Sequence, residues 1–472
     1  MTSPAKRPAN GLERCHQRIR DLGMPEALLR AFERDYIQLL NGATGFIAET
    51  DIEAVPDIPD AESLGAEYRE TGRAALSQAV MVKLNGGLGT GMGLDRAKSL
   101  LPVKDGLTFL DFIARQTLKF GVPLVLMNSF TTASDTRAAL ASYIEKRPDL
   151  FFDFEQHQIP KVRQDDLLPV DWPTSPDQEW CPPGHGDFYL ALKASGLLEK
   201  LLAGGRRYLF VSNSDNLGAT LDTAILGYVV KQQVPFLMEV ADRTQADKKG
   251  GHLTSRKGRF VLREKAQCRE EDDAAFQDIE KHRYFNTNNL WIDLEALAAL
   301  LDEHRDVLPL PLIVNRKHVD PCDTKSTPVI QLETAMGAAI GLFERAGAMR
   351  VPRSRFAPVK STRDLLVIRS DAYEVTEDFS LQLRSGLTEP PIVELGKPYQ
   401  MLAGFDERFA VVPSLKDCTR LEVDGDVAFL APVTVKGKVV ITASQPGKII
   451  TAAAVASGEY EVCEGSLAPA KR

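Results

Sequence analysis

The stretch Ala79-Val80-Met81-Val82-Lys83-Leu84 runs straight into Asn85-Gly86-Gly87-Leu88-Gly89-Thr90-Gly91-Met92-Gly93. Its first six residues are a short, largely apolar run that reads as a buried strand. Five glycines then fall within residues 86–93. Such a loop can take positive φ and press its backbone close to a ligand. Successive N–H groups there form a nest for an anion. The loop has no Gly-Lys-Ser/Thr ending, so it is not a P-loop, and its spacing does not match the dinucleotide fingerprint. Arg96 and Lys98 are the first basic residues beyond it. Lys98 is a candidate to neutralise phosphate charge as a compact cation on a flexible stem. From pattern alone a surface lysine fits it equally.

Similar apolar runs recur at Pro123-Leu124-Val125-Leu126-Met127, Tyr208-Leu209-Phe210-Val211-Ser212 and Pro235-Phe236-Leu237-Met238-Glu239-Val240. Segments of helical period separate them, one opened by a Thr108 cap with Asp111 three positions on. Strands alternating with helices predict an α/β domain over residues 76–375. Its sheet is mostly parallel and Rossmann-like, covered on both faces, with ligands at the carboxyl ends of the strands.

Residues 1–75 read as an N-terminal helical segment and a linker. Leu22, Met24, Leu28, Leu29, Phe32, Tyr36 and Leu39 recur mostly at steps of three and four, and the acidic Val55-Pro56-Asp57-Ile58-Pro59-Asp60 reads as a connection. From residue 376 to 472 the period changes. Leu421, Val427, Val433 and Val439 are spaced by six, as are Val423, Phe429, Val435 and Ile441. Two apolar positions per six residues over four units is the signature of a parallel β-helix, here expected to be left-handed. An antiparallel meander with accidental spacing is the competing expectation. A short β-helix leaves an open end, which points to possible homo-oligomer formation through the tail.

The 472 residues carry 57 Lys plus Arg against 65 Asp plus Glu, a net charge of -8 with no basic patch, which argues against nucleic-acid or membrane-surface partners. Any anionic substrate must be held by a few local cations and backbone N–H groups. Six scattered cysteines (Cys15, Cys181, Cys268, Cys322, Cys418, Cys463) form no CxxC pair. With no leader-like N-terminus and no apolar stretch near the roughly 18–20 residues that span a bilayer, a reducing, cytoplasmic location is expected.

The stretch from Val80 to Gln116 resembles the eukaryotic-type UTP–glucose-1-phosphate uridylyltransferase family. Pro182-Pro183-Gly184-His185-Gly186-Asp187, Asn213-Ser214-Asp215-Asn216-Leu217-Gly218, Phe285-Asn286-Thr287-Asn288-Asn289-Leu290-Trp291, Gln331-Leu332-Glu333-Thr334-Ala335 and Val351–Lys360 match further blocks in the family's order. One departure is Ala97 before the loop lysine, where the family usually has proline. The resemblance implies a nucleotidyltransferase that forms UDP-glucose and pyrophosphate from UTP and glucose 1-phosphate. A uridylyltransferase for another sugar 1-phosphate (an N-acetylhexosamine or galactose) and a non-catalytic UDP-sugar sensor remain alternatives.

Joining a sugar phosphate to a phosphorus already crowded by anionic oxygens needs positioning and charge neutralisation, not a protein nucleophile. The resemblance makes Leu84, Asn85, Gly86 and Gly87 the nucleotide cradle and Lys98 the triphosphate cation. Met127 and Gln156 fall where the family contacts uracil, and Gly184, Asn213 and Asp215 complete the nucleotide set. Gln156 could donate to and accept from a pyrimidine edge, although surface solvation also fits it. Asp215, after a strand, suits Mg²⁺, which takes one or two carboxylates plus phosphate oxygens; a plain Asp turn is the bland reading. His185 lies between glycines with no second ligand at metal spacing, so hydrogen bonding to the sugar phosphate is expected. Asn213, Asn286 and Asn288 are neutral groups suited to the sugar phosphate and hexose hydroxyls. Glu264 resembles the family's sugar-binding glutamate, yet beside Arg263 and Lys265 it could be a surface ion pair. Lys360 resembles the second phosphate lysine, which with Lys98 forms the expected catalytic pair. Arg353 and Arg355 are expected to be structural or peripheral.

Overall fold

A computed structural model of the chain describes residues 7–470 apart from residue 388. Residues 1–6 of the expected N-terminal segment and the last two of the tail lie outside the described residues.

The opening helices are α1 (Arg7–Asp21) and α2 (Glu26–Leu40), followed by α3 (Ala66–Ala75). The α/β part then runs through β1 (Ala79–Asn85), α4 (Phe109–Phe120), β2 (Leu124–Asn128), α5 (Ala133–Lys146), β3 (Phe151–Glu155), α6 (Phe188–Ala194) and α7 (Leu197–Ala203). It continues with β4 (Tyr208–Asn213), α8 (Thr223–Gln232), β5 (Phe236–Asp242), β6 (His252–Arg256), β7 (Arg259–Arg263), β8 (Tyr284–Asp293), α9 (Leu294–Glu303) and β9 (Gly347–Arg350). Thr108 caps α4 in a full capping box with Asp111.

β3, β2, β1 and β4 lie side by side and parallel. The chain builds outward from β1 to β3, then returns to add β4 on β1's other side, so the topological switch falls between β1 and β4. In open α/β sheets that crevice, at the carboxyl ends, is where ligands bind. β8 is antiparallel to β4 and β5, while β9 pairs parallel with β5. The sheet is therefore mixed, and β6 and β7 extend it as antiparallel strands.

Side-chain alternation divides the strands between two cores. Ala79 and Met81 point into one, shared with α3, α4, α5 and α8, while Val80 and Val82 point into the other, with α6, α7 and α9. Burial on both faces explains why β1 reads as a continuous apolar run rather than an alternation.

The acidic connection is no loose linker. Asp51, Asp57 and Asp60 pair with Arg256, Arg283 and Arg350 at 3.1, 2.8 and 2.7 Å, and Glu53 exchanges both backbone bonds with Ser255. It is a strap along the edge of the sheet, and its acidity answers basic residues supplied far away in sequence.

In the tail, Ser414–Asp424 pairs parallel with Ile392–Leu395 and Val433–Thr442, and Val427–Phe429 with Gly447–Ile449. Leu421 lies beside Val439, and Val423 beside Ile441, in each case eighteen positions on. All eight residues of the six-residue pattern are buried. The competing meander does not describe these parallel ladders. The last parallel strand, Gly458–Cys463, turns back as an antiparallel hairpin with Ser466–Pro469. The expected boundary at 375/376 falls inside another hairpin, Tyr373–Val375 with Leu381–Leu383, and tail residues share a core with the sheet. Tail and sheet are thus continuous in packing.

Candidate active site

The glycine loop leaves β1 at the switch point. Gly89 and Gly93 take φ of +72° and +75°, and Lys98 N closes the loop on the Gly87 carbonyl at 3.0 Å. A Cβ on Gly89 would meet Leu94 Cδ1 at 2.8 Å, so glycine there serves both the turn and the packing. Closure brings Lys98 back over the end of the sheet. Its Nζ sits 2.6 Å from Asp215 Oδ2, both side chains partly shielded. Asp215 arrives from the other side of the crevice, two residues beyond β4, where Ser214 N donates to the Leu84 carbonyl. The candidate cation and the candidate metal carboxylate therefore meet across the switch point. Ala97 in place of proline does not prevent this closure.

Lys360 reaches the same place from a third segment. Val359 N donates to the Asp215 carbonyl at 3.2 Å, and Ala357 N to Asn216 Oδ1 at 3.0 Å. The exposed Lys360 ammonium lies 5.7 Å from the Phe356 ring centre. It also faces Glu264. Burial pushes the Glu264 carboxyl up, while the Lys360 charge and a hydrogen bond with Asn286 oppose that rise. Glu264 is not a surface pair with its neighbours: Arg263 pairs with Glu49 and Asp272, Lys265 pairs with Asp273, and the Glu264 carboxylate lies against Gly251.

β8 supplies the asparagines through a bulge. Val240 pairs with Asn286 but Glu239 pairs with Asn289, so Thr287 and Asn288 are extra on one strand. Asn288 takes φ +60° as a result, and its Nδ2 donates to Asn213 Oδ1 at 2.9 Å. Its backbone N donates to Asn286 Oδ1 at 2.9 Å. Simple alternation predicts one shared face for Asn286 and Asn288; the bulge re-aims them instead.

Gln156 bridges two loops. Its Nε2 donates to the Gly184 carbonyl at 2.7 Å, and its Oε1 lies beside Gly86. Gly184 stands at φ +78° against the backbone of Thr334. His185 Nδ1 accepts from Met336 N at 3.0 Å, which leaves Nε2 as the N–H donor of the neutral ring. Burial pushes the imidazole down to about 4. Gly337, the next residue, lies against Asn286.

Two of the candidate residues turn their side chains inward. Asn85 is buried, its Nδ2 donating to Asn128 Oδ1 and Thr136 Oγ1 at 2.8 and 2.9 Å, so only its backbone faces the loop. Met127 is 3% exposed and sits in the core, because the last β2 positions are still covered on both faces. Leu84 is half-buried at the carboxyl end of the central strand β1, and Gly87 is exposed.

Some residues that shape the site carry little or no signal in the sequence. Ser129 Oγ donates to the Gly86 carbonyl at 3.0 Å, and its position directly after β2 was the available signal. Glu239 carries no such signal. It is fully buried, accepting from Arg355 Nε and Nη2 (2.8 and 2.7 Å), Asn289 Nδ2 (3.0 Å) and Trp291 Nε1 (2.8 Å). Arg355 is structural, as expected.

An open α/β sheet with a glycine loop and a lysine–carboxylate pair meeting at its switch point has the architecture of a nucleotide-handling enzyme. The family model described as UTP–glucose-1-phosphate uridylyltransferase matches residues 29–436, and the chain belongs to that family. The enzyme of that name from Solanum tuberosum is 44% identical over 383 residues, 79% of each chain, and the one from Saccharomyces cerevisiae is 42% identical over 384. A mutant UDP-glucose pyrophosphorylase from Leishmania major, solved in complex with UDP-glucose, is 43% identical with a TM-score of 0.90, covering 98% of this chain and all of that one. A Trypanosoma brucei structure described as UDP-glucose phosphorylase is 46% identical with a TM-score of 0.86, covering 94% of this chain.

Proposed function

We propose that the chain joins glucose 1-phosphate to the α-phosphate of UTP, forming UDP-glucose and releasing pyrophosphate. The observation that carries this reading is the meeting of Lys98 and Asp215 at the switch point, inside the family's sequence blocks. In this mechanism a sugar-phosphate oxygen attacks the α-phosphorus in line, and the bond to the β-phosphate breaks. The backbone of Leu84–Gly87 cradles the nucleotide, Lys98 neutralises the triphosphate, and Lys360 steadies the attacking sugar phosphate from the opposite wall. His185 offers Nε2–H to that phosphate, while Asn213, Asn286, Asn288 and Glu264 meet the hexose. Gln156 and Gly184 border the base.

Asp215 fits Mg²⁺. Among the described residues no group of three or more His, Cys, Asp or Glu could hold a metal, and Mg²⁺ needs only a carboxylate or two when substrate phosphates supply the rest. Bound there with UTP, the cation would neutralise phosphate charge. Asp215 would then exchange its Lys98 partner for the cation, freeing the ammonium for phosphate oxygens.

We read residues 76–375 as the catalytic unit and 376–472 as a short left-handed parallel β-helix; the parallel ladders of the tail support the coil. The terminal hairpin covers one coil end. Self-association rests instead on Leu430 and Ile450, 41% and 62% exposed at the edge of neighbouring coils. No helix among the described residues is long and apolar enough to cross a membrane, and a reducing cytoplasm suits the six unpaired cysteines.

The test is pyrophosphate release from UTP with a panel of sugar 1-phosphates. Preference for N-acetylglucosamine or galactose 1-phosphate would move the assignment to another sugar, and UTP binding without turnover would make the chain a sensor.

A further inference from the structure

β1 carries a side chain that core packing alone does not call for. Lys83 is 1% exposed, yet its Nζ meets two neutral acceptors, Ser212 Oγ at 2.7 Å and the Ala219 carbonyl at 2.8 Å. Its remaining side looks toward the Phe210 ring at 5.8 Å. An apolar residue would fill this position without the cost of desolvating an ammonium.

The two acceptors are the two stems of one turn. Ser212 lies at the end of β4, Ala219 closes the segment that leaves it, and Asp215 stands between them. Nζ holds this span together from beneath. From the other side, Asn216 Nδ2 donates to the Arg355 carbonyl at 3.1 Å, and Arg355 Nη2 to the Thr220 carbonyl at 2.9 Å. Lys83 supplies the pin from β1, the strand that launches the glycine loop, so it registers the Asp215 carboxylate against the anion nest. Burial, reinforced by the Arg355 charge, pushes Lys83 down to about 7. Ammonium and amine both keep two N–H donors, so the two pins hold through neutrality.

We infer that Lys83 is a positioning residue for Asp215, fixing where that carboxylate stands relative to the nucleotide phosphates and hence how firmly a divalent cation is held with UTP. The inference rests on the assignment of Asp215 as the cation's protein ligand.

Calorimetric titration of the full chain with UTP, once in excess Mg²⁺ and once in excess EDTA, gives two affinities whose ratio isolates the cation. Lys83→Met keeps the length of the side chain and removes its donors. It is expected to bind metal-free UTP like the wild type and to lose about 10- to 100-fold of the ratio, the range for groups that orient a metal ligand. A merely structural role would lower both affinities together, or only the melting temperature, and either result overturns the inference. Ser212→Ala removes one pin, is expected to show a smaller loss in the same ratio, and decides the question if Lys83→Met does not fold. Asp215→Asn is titrated alongside. If Asp215→Asn lowers the ratio while the two pin variants keep it, the positioning role is overturned and the Asp215 assignment stands. If Asp215→Asn keeps the wild-type ratio, the metal assignment fails and the positioning role fails with it.

Discussion

Gly184 and Gly87 are both glycines of the site, yet replacing them should have opposite consequences. Gly184 stands at φ +78°, ψ 169°, a region essentially reserved for glycine, where another residue costs about 1–3 kcal/mol. A Cβ there would lie 2.4 Å from Thr334 O and 2.7 Å from Thr334 N, which are backbone atoms that cannot swing aside. Restoring ordinary contact at about 3.4 Å requires the loop to move by about 1 Å. That shift strains the Gln156 bond to the Gly184 carbonyl, worth about 1 kcal/mol, and carries His185 off its perch on Met336 N. Gly184→Ala should therefore lose about 2–4 kcal/mol of stability. It should also lose about 10²-fold in turnover, the scale expected for a 1 Å misplacement. A Cβ on Gly87, by contrast, meets no protein atom within 4 Å. Gly87→Ala should leave stability within about 0.5 kcal/mol of wild type and raise KM for UTP, because only a ligand pressed on that backbone would feel it. Urea denaturation and steady-state pyrophosphate release read both variants. Wild-type turnover in Gly184→Ala, or an unchanged KM for UTP in Gly87→Ala, would refute the reasoning.

Lys98→Ala and Lys360→Ala should each lower turnover by about 10²–10³-fold with the fold retained, since each removes a placed charge from the crowded phosphates; near-wild-type rates in a folded variant would contradict the role of that lysine. Glu239→Ala strands the buried Arg355 guanidinium and should cost about 3–5 kcal/mol in denaturant unfolding, whereas a loss below about 1 kcal/mol would show that Arg355 finds another partner. Burial pushes the Glu49 carboxyl up, but bonds from Lys281, His282 and Arg263 overcome it and hold it at about 2 against an ordinary 4.5. Because the folded value is the lower one, its stabilisation is complete above pH 4.5 and disappears as pH falls toward 2. The melting-temperature gap between wild type and Glu49→Gln should narrow over that window, and a gap constant with pH would contradict the linkage. His185, with its pKa near 4, is neutral from pH 6 to 8, so the rate profile there should contain no limb that vanishes in His185→Gln.

The parts of the fold legible in the sequence are those whose signal is local. β1 and its glycine loop, the Thr108 capping box and the six-residue period of the tail each announce themselves within a short continuous stretch of chain. What escaped depends on partners far along the chain. The acidic strap around Asp57 and Asp60 reads as a linker until Arg283 and Arg350 appear opposite it. Asn286 and Asn288 read as alternating neighbours, because nothing local reveals that β8 gains two residues against Glu239. In the site, pattern alone leaves Lys98 balanced between phosphate and solvent, and only the loop closure onto Gly87 brings it to Asp215. Likeness to a family motif gives Asn85 and Met127 a position in the chain but not the inward direction their side chains take. Lys83 reads from sequence merely as part of a strand, since a lysine in an apolar run shows its purpose only when both stems of the Asp215 turn are seen bonded to it.

The most direct measurement of the central claim is pyrophosphate release by the purified full-length chain from UTP, started by glucose 1-phosphate in the presence of Mg²⁺, with UDP-glucose quantified in the same samples. The account predicts equimolar pyrophosphate and UDP-glucose, loss of the reaction in excess chelator, and slower turnover with galactose or N-acetylglucosamine 1-phosphate. No pyrophosphate above the UTP-only background, or full activity in excess chelator, would contradict it.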